Sequence, residues 1–378
     1  MTRPKVLVVD TLSGSNDYAV SLATALAEKT DLTFLTVCDS QLSDTSSYRL
    51  LRTIPPPSAN RLQQASRLAK YLAVLSRELW RHRKGVVHIQ FFRSKLLEFP
   101  IYAAARLTFL NKVIFSAHNA LPHERKFWHH VFFQLWYRLV DEIHVLGNYT
   151  SQQLREMGVP ESKIHWIPHG NFELFLSRHQ PAPPPLTRKE YGAGADDIVF
   201  LMYGLIRPYK GLDLLTEAFC QIPTTSKAYL IVAGGGNRNL FDLAMERLQK
   251  ANKDTRAMLR FRFVEDAELS NLVAACDVVV LPYRHVYQSG VLVLAMTYGK
   301  AIIASDLGGI RDYVTHGREA LLVDPTNTDE FSHAIETLSN DTHRRLELGR
   351  QARSRALQAY SWPEIADQLV KLYAKQRQ

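Results

Sequence analysis

The chain has 378 residues, of which 46% are hydrophobic and 22% charged, and its 46 Lys and Arg outnumber its 37 Asp and Glu. This length exceeds what one hydrophobic core usually organises, so we expect two domains, and the composition excludes a disordered or collagen-like protein. The net charge of +9 predicts an anionic partner. The three cysteines, Cys38, Cys220 and Cys276, are too few and too far apart for a disulfide framework or a Cys-based metal site.

No targeting segment or membrane span is predicted. Met1–Lys5 leads directly into the apolar run VLVVD, which leaves no room for a signal peptide. The apolar stretch Val131–Val140 is interrupted by Gln134 and Arg138, short of the roughly 20 residues of a membrane span. We therefore expect a cytoplasmic protein that does not cross a bilayer.

Apolar strands alternate with helices over residues 1–175. Strands are predicted at 5–10, 32–37, 86–92, 112–119 and 142–147, and a first helix over 18–29 follows the polar turn TLSGSND. Continuous apolar strands separated by helices are typical of a parallel sheet that is covered on both faces. The pattern predicts a Rossmann-like, doubly wound α/β domain.

A basic segment lies in this domain, where Glu78 is the only acid between Arg52 and Lys95. Arg61–Lys84 is predicted to form an amphipathic helix. One face carries leucines and the other bases: Leu68, Leu72, Leu75 and Leu79 against Lys70, Arg77, Arg81 and Lys84. Either the leucines pack on the sheet and the bases face solvent, or the bases bind anionic lipid headgroups, each contributing about 1 kcal/mol. Nucleic acid is not an expected partner, because no nucleic-acid-binding motif accompanies the bases.

A proline-rich stretch, RHQPAPPP at 178–185, favours an extended spacer, and we place the domain boundary at 175/176. The alternation then resumes over 176–360, with strands at 198–204, 228–236, 259–264, 277–283, 300–306 and 320–324. This predicts a second Rossmann-like domain, followed by a terminal helix within 361–378. Ligands of such sheets bind beyond the carboxyl ends of the strands, so we expect an active site in a cleft between the domains.

The clearest chemical signal follows the first strand of the second domain. The loop GLIRPYKG places Arg207 and Lys210 between Gly204 and Gly211, just before a helix that opens near Leu212. Two fixed cations beside a helix N-terminus favour an anion, and the glycines allow a close backbone approach. A diphosphate fits this pattern. The alternative is a solvated loop with two ordinary bases.

Two further segments could contact the same anion. The turn AGGGN contains Gly235, although a glycine run alone is a weak signal. Ser289, Gly290 and Val291 begin a helix after the strand DVVVLPY, where free backbone amides could bind phosphate. The Ser289 hydroxyl could equally be a simple helix N-cap.

Together these motifs resemble the retaining GT-B glycosyltransferases of family 4, the large group 1 that includes sucrose and mannosyl synthases. The resemblance is carried by G-x-x-R-x-x-K-G at 204–211, the AGGG turn, CDVVVLPY at 276–283 and AMTYGKAIIASDLGGIRDYV at 295–314, in the order of the family. It implies a GT-B fold, with two Rossmann-like domains that face a cleft and a terminal helix that crosses back to the first.

The resemblance also implies roles for individual residues. Arg207 and Lys210 would hold the diphosphate of a nucleotide sugar, and the backbone near Val264 and Glu265 would receive the base. His118, at the end of a strand in the first domain, would contact the donor sugar, unless it is a structural histidine. Gly14 would let the first loop approach the donor phosphates, unless it forms an ordinary turn.

The sequence departs from the family at two positions. The family carries two glutamates in an E-x7-E arrangement, whereas this chain has Val286 and Leu294 there. No metal or other cofactor is expected. The segment HERKFWHH at 123–130 fails the H-E-x-x-H zinc pattern because residue 127 is Phe, and the absence of any D-x-D disfavours a metal-bridged diphosphate.

The resulting hypothesis is an enzyme that transfers a hexose from a nucleotide diphosphate sugar to a saccharide acceptor. We expect retention of configuration, a lipid-linked acceptor in bacterial exopolysaccharide or cell-surface glycan synthesis, and peripheral association with the inner face of the plasma membrane. UDP and GDP donors both stay open. The alternative is a non-catalytic GT-B partner subunit that binds nucleotide or glycan, which the missing glutamates motivate. An epimerase is disfavoured, because no acid and base pair is placed for proton transfer.

Overall fold

The computed structural model describes residues 3–11, 17–37, 42, 47–54, 61–121, 128–181 and 188–376. Several predictions fall outside these residues: those on Gly14, Cys38, the 123–127 part of the zinc-like pattern and the prolines at 183–185. The chain divides into two compact units, 1–170 with 361–378, and 171–360. In the described part, no helix combines the length and apolar character needed to cross a bilayer.

The N-terminal unit is built on a seven-stranded parallel sheet with the order β3-β2-β1-β4-β5-β6-β7. Its strands are β1 (Lys5–Val9), β2 (Asp31–Val37), β3 (Arg49–Ile54), β4 (Val86–Ile89), β5 (Lys112–Ala117), β6 (Glu142–Val145) and β7 (Ile164–Trp166). Between them run α1 (Asp17–Ala27), α2 (Arg61–Arg81), α3 (Lys95–Leu107), α4 (His129–Leu139) and α5 (Asn148–Glu156). Strands β4, β5 and β6 are buried along their whole length, and β1 and β2 are buried in all but their first residue, as expected for a sheet covered on both faces.

Helix α2 contains the basic segment and ends earlier than predicted. It stops at Arg81, and Lys84 has a left-handed backbone with φ 64°, ahead of Gly85. Leu75 and Leu79 are buried as predicted, whereas Leu68 and Leu72 are only half-buried. The inward-facing stripe therefore covers the C-terminal half of the helix.

The single acid of this segment is part of the buried stripe. Glu78 is 2% exposed, and its carboxylate accepts hydrogen bonds from Arg49 and Arg81, each at 3.0 Å. Arg81 is exposed, as expected of the basic face, and this ion pair ties its guanidinium to Glu78.

The C-terminal unit has a six-stranded parallel sheet with the order β10-β9-β8-β11-β12-β13. Its strands are β8 (Ile198–Tyr203), β9 (Ala228–Ala233), β10 (Ala257–Arg260), β11 (Val278–Leu281), β12 (Ala301–Ser305) and β13 (Leu321–Val323). The predicted strand 259–264 is wrong in its bounds. β10 ends at Arg260 because its partner β9 stops at Gly234, whose N–H donates to the Arg260 carbonyl at 3.0 Å.

The helices of this unit are α6 (Glu173–Arg178), α7 (Leu212–Gln221), α8 (Arg238–Lys250), α9 (Asp266–Ala275), α10 (Gly290–Thr297), α11 (Gly308–Arg311), α12 (Thr328–Asn340) and α13 (Thr342–Ala359). Side-chain caps fix the starts of several of them. Asn237 accepts a hydrogen bond from Leu240 N–H at 3.2 Å and opens α8, and Asp341 accepts one from Arg344 N–H at 2.8 Å and opens α13.

The last helix, α14 (Trp362–Ala374), belongs to the N-terminal unit. It follows Ser361 and has a proline in its first turn, a residue that is tolerated there because its missing N–H would have no helical partner. Ile365 and Leu369 are buried in one apolar cluster with Leu22 and Leu26 of α1. The chain therefore ends in the unit in which it began.

Candidate functional site

Loops from neighbouring strands meet at the carboxyl edge of the six-stranded sheet. They follow β8 at 204–211, β9 at 234–237, β10 at 261–265 and β11 at 282–289, and these four strands are consecutive in the sheet. All strands are parallel, so residues far apart in sequence lie along one edge. Every predicted donor residue of this unit belongs to these loops or to the helices that follow them.

The loop after β8 is held in a shape that requires glycine at both ends. Gly204 has φ 102° and Gly211 has φ 69°, in the region that L side chains rarely adopt. A Cβ on Gly211 would collide with the carbonyl oxygen of Pro282. Between the glycines, Pro208–Lys210 forms one turn of 3-10 helix, so the loop is rigid before α7 begins.

The glycine turn after β9 supports this loop from the side. Ile206 N–H donates to the Gly235 carbonyl at 2.7 Å, and Asn237 N–H donates to the Ile206 carbonyl at 2.9 Å. A Cβ on Gly234 would collide with the carbonyl oxygen of Gly204. Around Gly235 the nearest atoms to such a Cβ are 3.7 and 3.8 Å away, in residues 262 and 263, so its backbone stays approachable.

Lys210 differs from the other charged residues of the loop. Its side chain is 7% exposed, and burial lowers the pKa of its ammonium. The Nζ atom lies 5.6 Å from the centroid of the Tyr283 ring, and among the described residues no carboxylate pairs with it. A buried ammonium without a counter-charge is costly, and an anionic ligand would remove that cost.

The neighbouring arginines have other surroundings. Arg284 forms a two-pronged ion pair with Asp213, at 2.8 and 2.7 Å, and also donates to the Pro208 carbonyl at 3.1 Å. Arg207 starts the 3-10 turn and its side chain is exposed, while its carbonyl accepts the Lys210 N–H at 3.0 Å. Arg284 therefore braces the loop, whereas Lys210 is a buried cation that no carboxylate of the described residues neutralises.

The segment after β11 contributes backbone amides and not a free hydroxyl. Ser289 is the N-cap of α10, because its Oγ accepts a hydrogen bond from Leu292 N–H at 3.2 Å. The N–H groups of Gly290 and Val291 lie in the first turn, where helices leave amides without internal partners. If Gly290 carried a Cβ atom, its nearest neighbour would be a ring carbon of Phe172 at 3.7 Å, an ordinary van der Waals distance.

The two positions that would carry family glutamates are part of the core. Val286 and Leu294 are 7% and 3% exposed and belong to one large apolar cluster of this unit. Neither offers a polar group to a ligand. Any hydroxyl recognition at this edge must come from other side chains.

Two further residues at this edge were not identified from the sequence. Gln288 has a buried Oε1 atom, and Phe263 has a ring that is 74% exposed beside Gly235. The predicted base-contacting residues follow Phe263 in the chain: Val264 is half-buried against the core, and Glu265 is exposed at the start of α9. The signal that could have found Phe263 is an aromatic residue directly after Arg262, just beyond a strand.

His118 lies in the N-terminal unit, at the carboxyl end of β5. Its Nε2 is 3.1 Å from Gln90 Oε1, and its ring stacks on Phe91 with 4.4 Å between centroids. Burial, assisted by His144 and His169, lowers the pKa of His118 to about 3, so the ring is neutral at physiological pH. It lines a cavity of about 210 Å³ together with Lys95, Asn119 and four phenylalanines.

Comparison with known proteins identifies the family. Residues 185–355 match the family model described as glycosyl transferases group 1, and residues 12–170 match that of glycosyltransferase family 4. The chain therefore belongs to the group 1 glycosyltransferases. A D-inositol 3-phosphate glycosyltransferase of Corynebacterium glutamicum is 26% identical over 248 residues, which is 62% of this chain and 58% of that protein. The chain spans about half the length of the curated relatives it matches, between 46% and 58%.

Solved structures show the same architecture. Anabaena HepE, in complex with UDP and glucose, has a TM-score of 0.74 and 17% identity, over 99% of this chain and 100% of HepE. Sucrose-phosphate synthase from Thermosynechococcus elongatus has a TM-score of 0.75 and 20% identity, over 98% of each chain. At such identities the likeness shows the fold, and it confirms the predicted GT-B class.

Proposed function

We propose that this chain transfers a hexosyl group from a nucleotide diphosphate sugar to a hydroxyl of a saccharide. The observation that carries the proposal is Lys210, a buried ammonium without a carboxylate partner among the described residues, on a rigid loop beside a helix N-terminus. Buried charged groups in proteins are normally paired, so a buried ammonium without a carboxylate partner at a sheet edge favours an anionic ligand.

In the proposed reaction the bond between the sugar C1 and the diphosphate oxygen breaks, and a bond forms from C1 to the acceptor oxygen. The acceptor proton passes to the departing diphosphate oxygen, so no protein nucleophile is needed and attack on the same face retains the configuration. Negative charge grows on the diphosphate as it leaves. Lys210, Arg207 and the amides of Gly290 and Val291 would stabilise that charge, and the rigid loop means they need no rearrangement.

The donor's base would lie near the loop after β10. The exposed Phe263 ring offers a stacking surface, and the neighbouring backbone at Val264 and Glu265 offers hydrogen bonds. We favour a UDP sugar, since HepE, which shares the fold, binds UDP and glucose. His118 would contact the sugar through its neutral ring.

The first test is thermal stability with nucleotides. A ligand that binds the folded state raises the melting temperature by mass action, so UDP at 100 times its dissociation constant should add about 2.7 kcal/mol. At the same concentration UMP, if it binds about 10 to 100-fold more weakly, should add only about 0.4 to 1.4 kcal/mol, and uridine less. Stabilisation by GDP and not by UDP would show that the donor carries guanine in place of uracil. No response to either diphosphate would contradict the proposal.

A second assay separates an enzyme from the non-catalytic partner subunit. Purified protein is incubated with a panel of UDP and GDP sugars, and released nucleotide is measured with and without saccharide acceptors. An enzyme should release nucleotide slowly even to water. Binding without any release across the panel would favour the partner subunit.

We also propose a lipid-linked acceptor, reached at an anionic membrane surface. The supporting feature is the exit of α2, which we term the basic-aromatic patch. Its members are exposed bases and large apolar side chains: Arg77, Trp80, Arg83, Lys84, Leu107 and Leu110. Two contacts join parts of this set: the Arg83 guanidinium lies 5.1 Å from the Trp80 ring centroid, and Lys84 N–H donates to the Phe109 carbonyl, next to Leu110, at 3.0 Å. Aromatic, leucine and basic residues together are typical of surfaces that lie in a membrane interface.

Liposome flotation tests the basic-aromatic patch. A variant with Arg77, Arg83 and Lys84 all changed to Glu is expected to bind anionic vesicles at least about 100-fold more weakly, because each base contributes about 1 kcal/mol. The matched control reverses three exposed bases of the C-terminal unit, Lys189, Lys227 and Arg318, and so has the same net charge. Equal loss in both variants, or no loss in the first, would rule out a specific role for the patch.

A further inference from the structure

Three of the ten buried side-chain atoms that lack a hydrogen-bond partner within the described residues belong to residues at or beyond the carboxyl ends of strands in the six-stranded sheet. Gln288 Oε1, Tyr203 Oη and Ser305 Oγ are all buried, and none has a hydrogen-bond partner within the described residues. Tyr203 ends β8, Gln288 follows β11 and Ser305 ends β12, and these three strands are adjacent in the sheet. Buried acceptors without donors are uncommon in folded proteins, and each one requires an explanation.

Gln288 is the least buried residue of this group, although its Oε1 atom itself is enclosed. Tyr203 and Ser305 are 5% and 0% exposed, whereas Gln288 is half-buried. It immediately precedes Ser289, the N-cap of α10, and so lies beside the amides that we assign to the diphosphate. Residue 288 therefore adjoins the candidate donor site in the chain.

The backbone around Gln288 is fixed from both sides. Ser289 is tied to the first turn of α10 through Leu292 N–H, at 3.2 Å. On the other side, a Cβ on Gly309 would collide with the carbonyl oxygen of Tyr287, so the short helix α11 packs directly on this segment. A side chain on so constrained a segment can act as a fixed contact and not only as a solvated surface group.

The type of atom restricts the ligand group. A carbonyl oxygen accepts hydrogen bonds and cannot pair with an ionised phosphate, which has no donor to offer. The cation on Lys210 suits phosphate, and the acceptor on Gln288 suits a hydroxyl. A nucleotide sugar presents such hydroxyls on its ribose and on its hexose.

We infer that Gln288 is a specificity-determining residue of the donor site, whose side-chain oxygen accepts a hydrogen bond from a donor hydroxyl. The inference rests on the proposed function. It assigns to Gln288 the polar contact that the apolar side chains of Val286 and Leu294 cannot make.

The test compares Gln288→Leu with Gln288→Glu, which keeps an acceptor oxygen. Calorimetric titration measures the affinities of UDP, 2′-deoxy-UDP, 3′-deoxy-UDP and UDP-glucose. A matched control is Gln249→Leu, an exposed glutamine on α8. Melting temperatures of all variants show whether the fold is kept.

A ribose contact predicts that the wild type prefers UDP to one deoxy analogue by about tenfold, and that Gln288→Leu removes the preference. A hexose contact predicts unchanged UDP affinity and about tenfold weaker UDP-glucose binding in Gln288→Leu. Either result supports the inference when Gln288→Glu retains the wild-type pattern and Gln249→Leu changes nothing. Unaltered affinities for all four ligands in a folded Gln288→Leu variant would overturn it, while the proposed function would stand. A wild type that binds none of them would overturn both.

Discussion

Replacing Lys210 with Met is expected to lower the rate of sugar transfer by about 10² to 10³-fold, the loss seen when one preorganised donor to a developing anion is removed. The ammonium is buried and faces no carboxylate among the described residues, so little solvent screens its interaction with the leaving diphosphate. Met has a similar length and suits a buried position, so the fold should be kept. Initial rates with a saturating acceptor measure the effect.

The matched control is Lys227→Met. Lys227 is exposed and directly precedes β9, at the opposite end of the strand from the candidate site. It should retain the wild-type rate. Arg207→Ala should cost less than Lys210→Met, because the Arg207 side chain is exposed. A Lys210→Met enzyme with the wild-type rate would remove Lys210 from the mechanism.

Acidification from pH 7 to pH 5.5 is expected to destabilise the N-terminal unit by roughly 3 kcal/mol, because His118 and three other buried histidines outweigh Glu98. Burial raises the pKa of the Glu98 carboxyl to about 7, so that group stabilises the folded state as the pH falls. Burial lowers the pKa of His144 and His169 to about 4 and holds that of His88 well below its ordinary value. In the unfolded chain each histidine titrates near 6.5, so the unfolded state binds more protons as the pH falls from there toward 4. Each histidine then costs about 1.4 kcal/mol per pH unit.

Urea unfolding followed by tryptophan fluorescence reports on the stability of the N-terminal unit. All five tryptophans lie in the N-terminal unit, at positions 80, 128, 136, 166 and 362. His144→Gln should flatten the pH dependence by about 1.4 kcal/mol per pH unit, whereas His130→Gln, at an exposed position, should leave it unchanged. Stability that stays constant between pH 7 and 5.5 would contradict the neutral, buried state of these histidines.

Sequence patterns were sufficient where one local rule decided the structure. The strands β8 and β11 are continuous apolar runs, and both are buried as expected. The glycines at 204 and 211 predicted a tight loop, and positive φ angles confirm it. The predicted end of β10 was wrong, because the strand ends where its partner β9 turns, at Gly234. The pattern of residues along the chain contains no such information.

The state of the site residues could not be predicted from the sequence. Lys210 and Arg284 both follow apolar strands, yet Arg284 is paired with Asp213, and Lys210 is buried beside Tyr283. Likewise, nothing in the order of residues shows that the Gln288 oxygen lacks a partner. Such properties depend on which loops the parallel strands bring together, and they appear only once the sheet order is known.

The most direct test of the account compares the affinities of UMP and UDP in the wild type and in Lys210→Met. A charge-assisted hydrogen bond contributes about 1.5 to 3 kcal/mol, so the second phosphate should strengthen wild-type binding by about 10 to 100-fold. In Lys210→Met most of this increment should disappear while UMP binding is kept. An increment of equal size in both proteins would show that Lys210 does not hold the diphosphate.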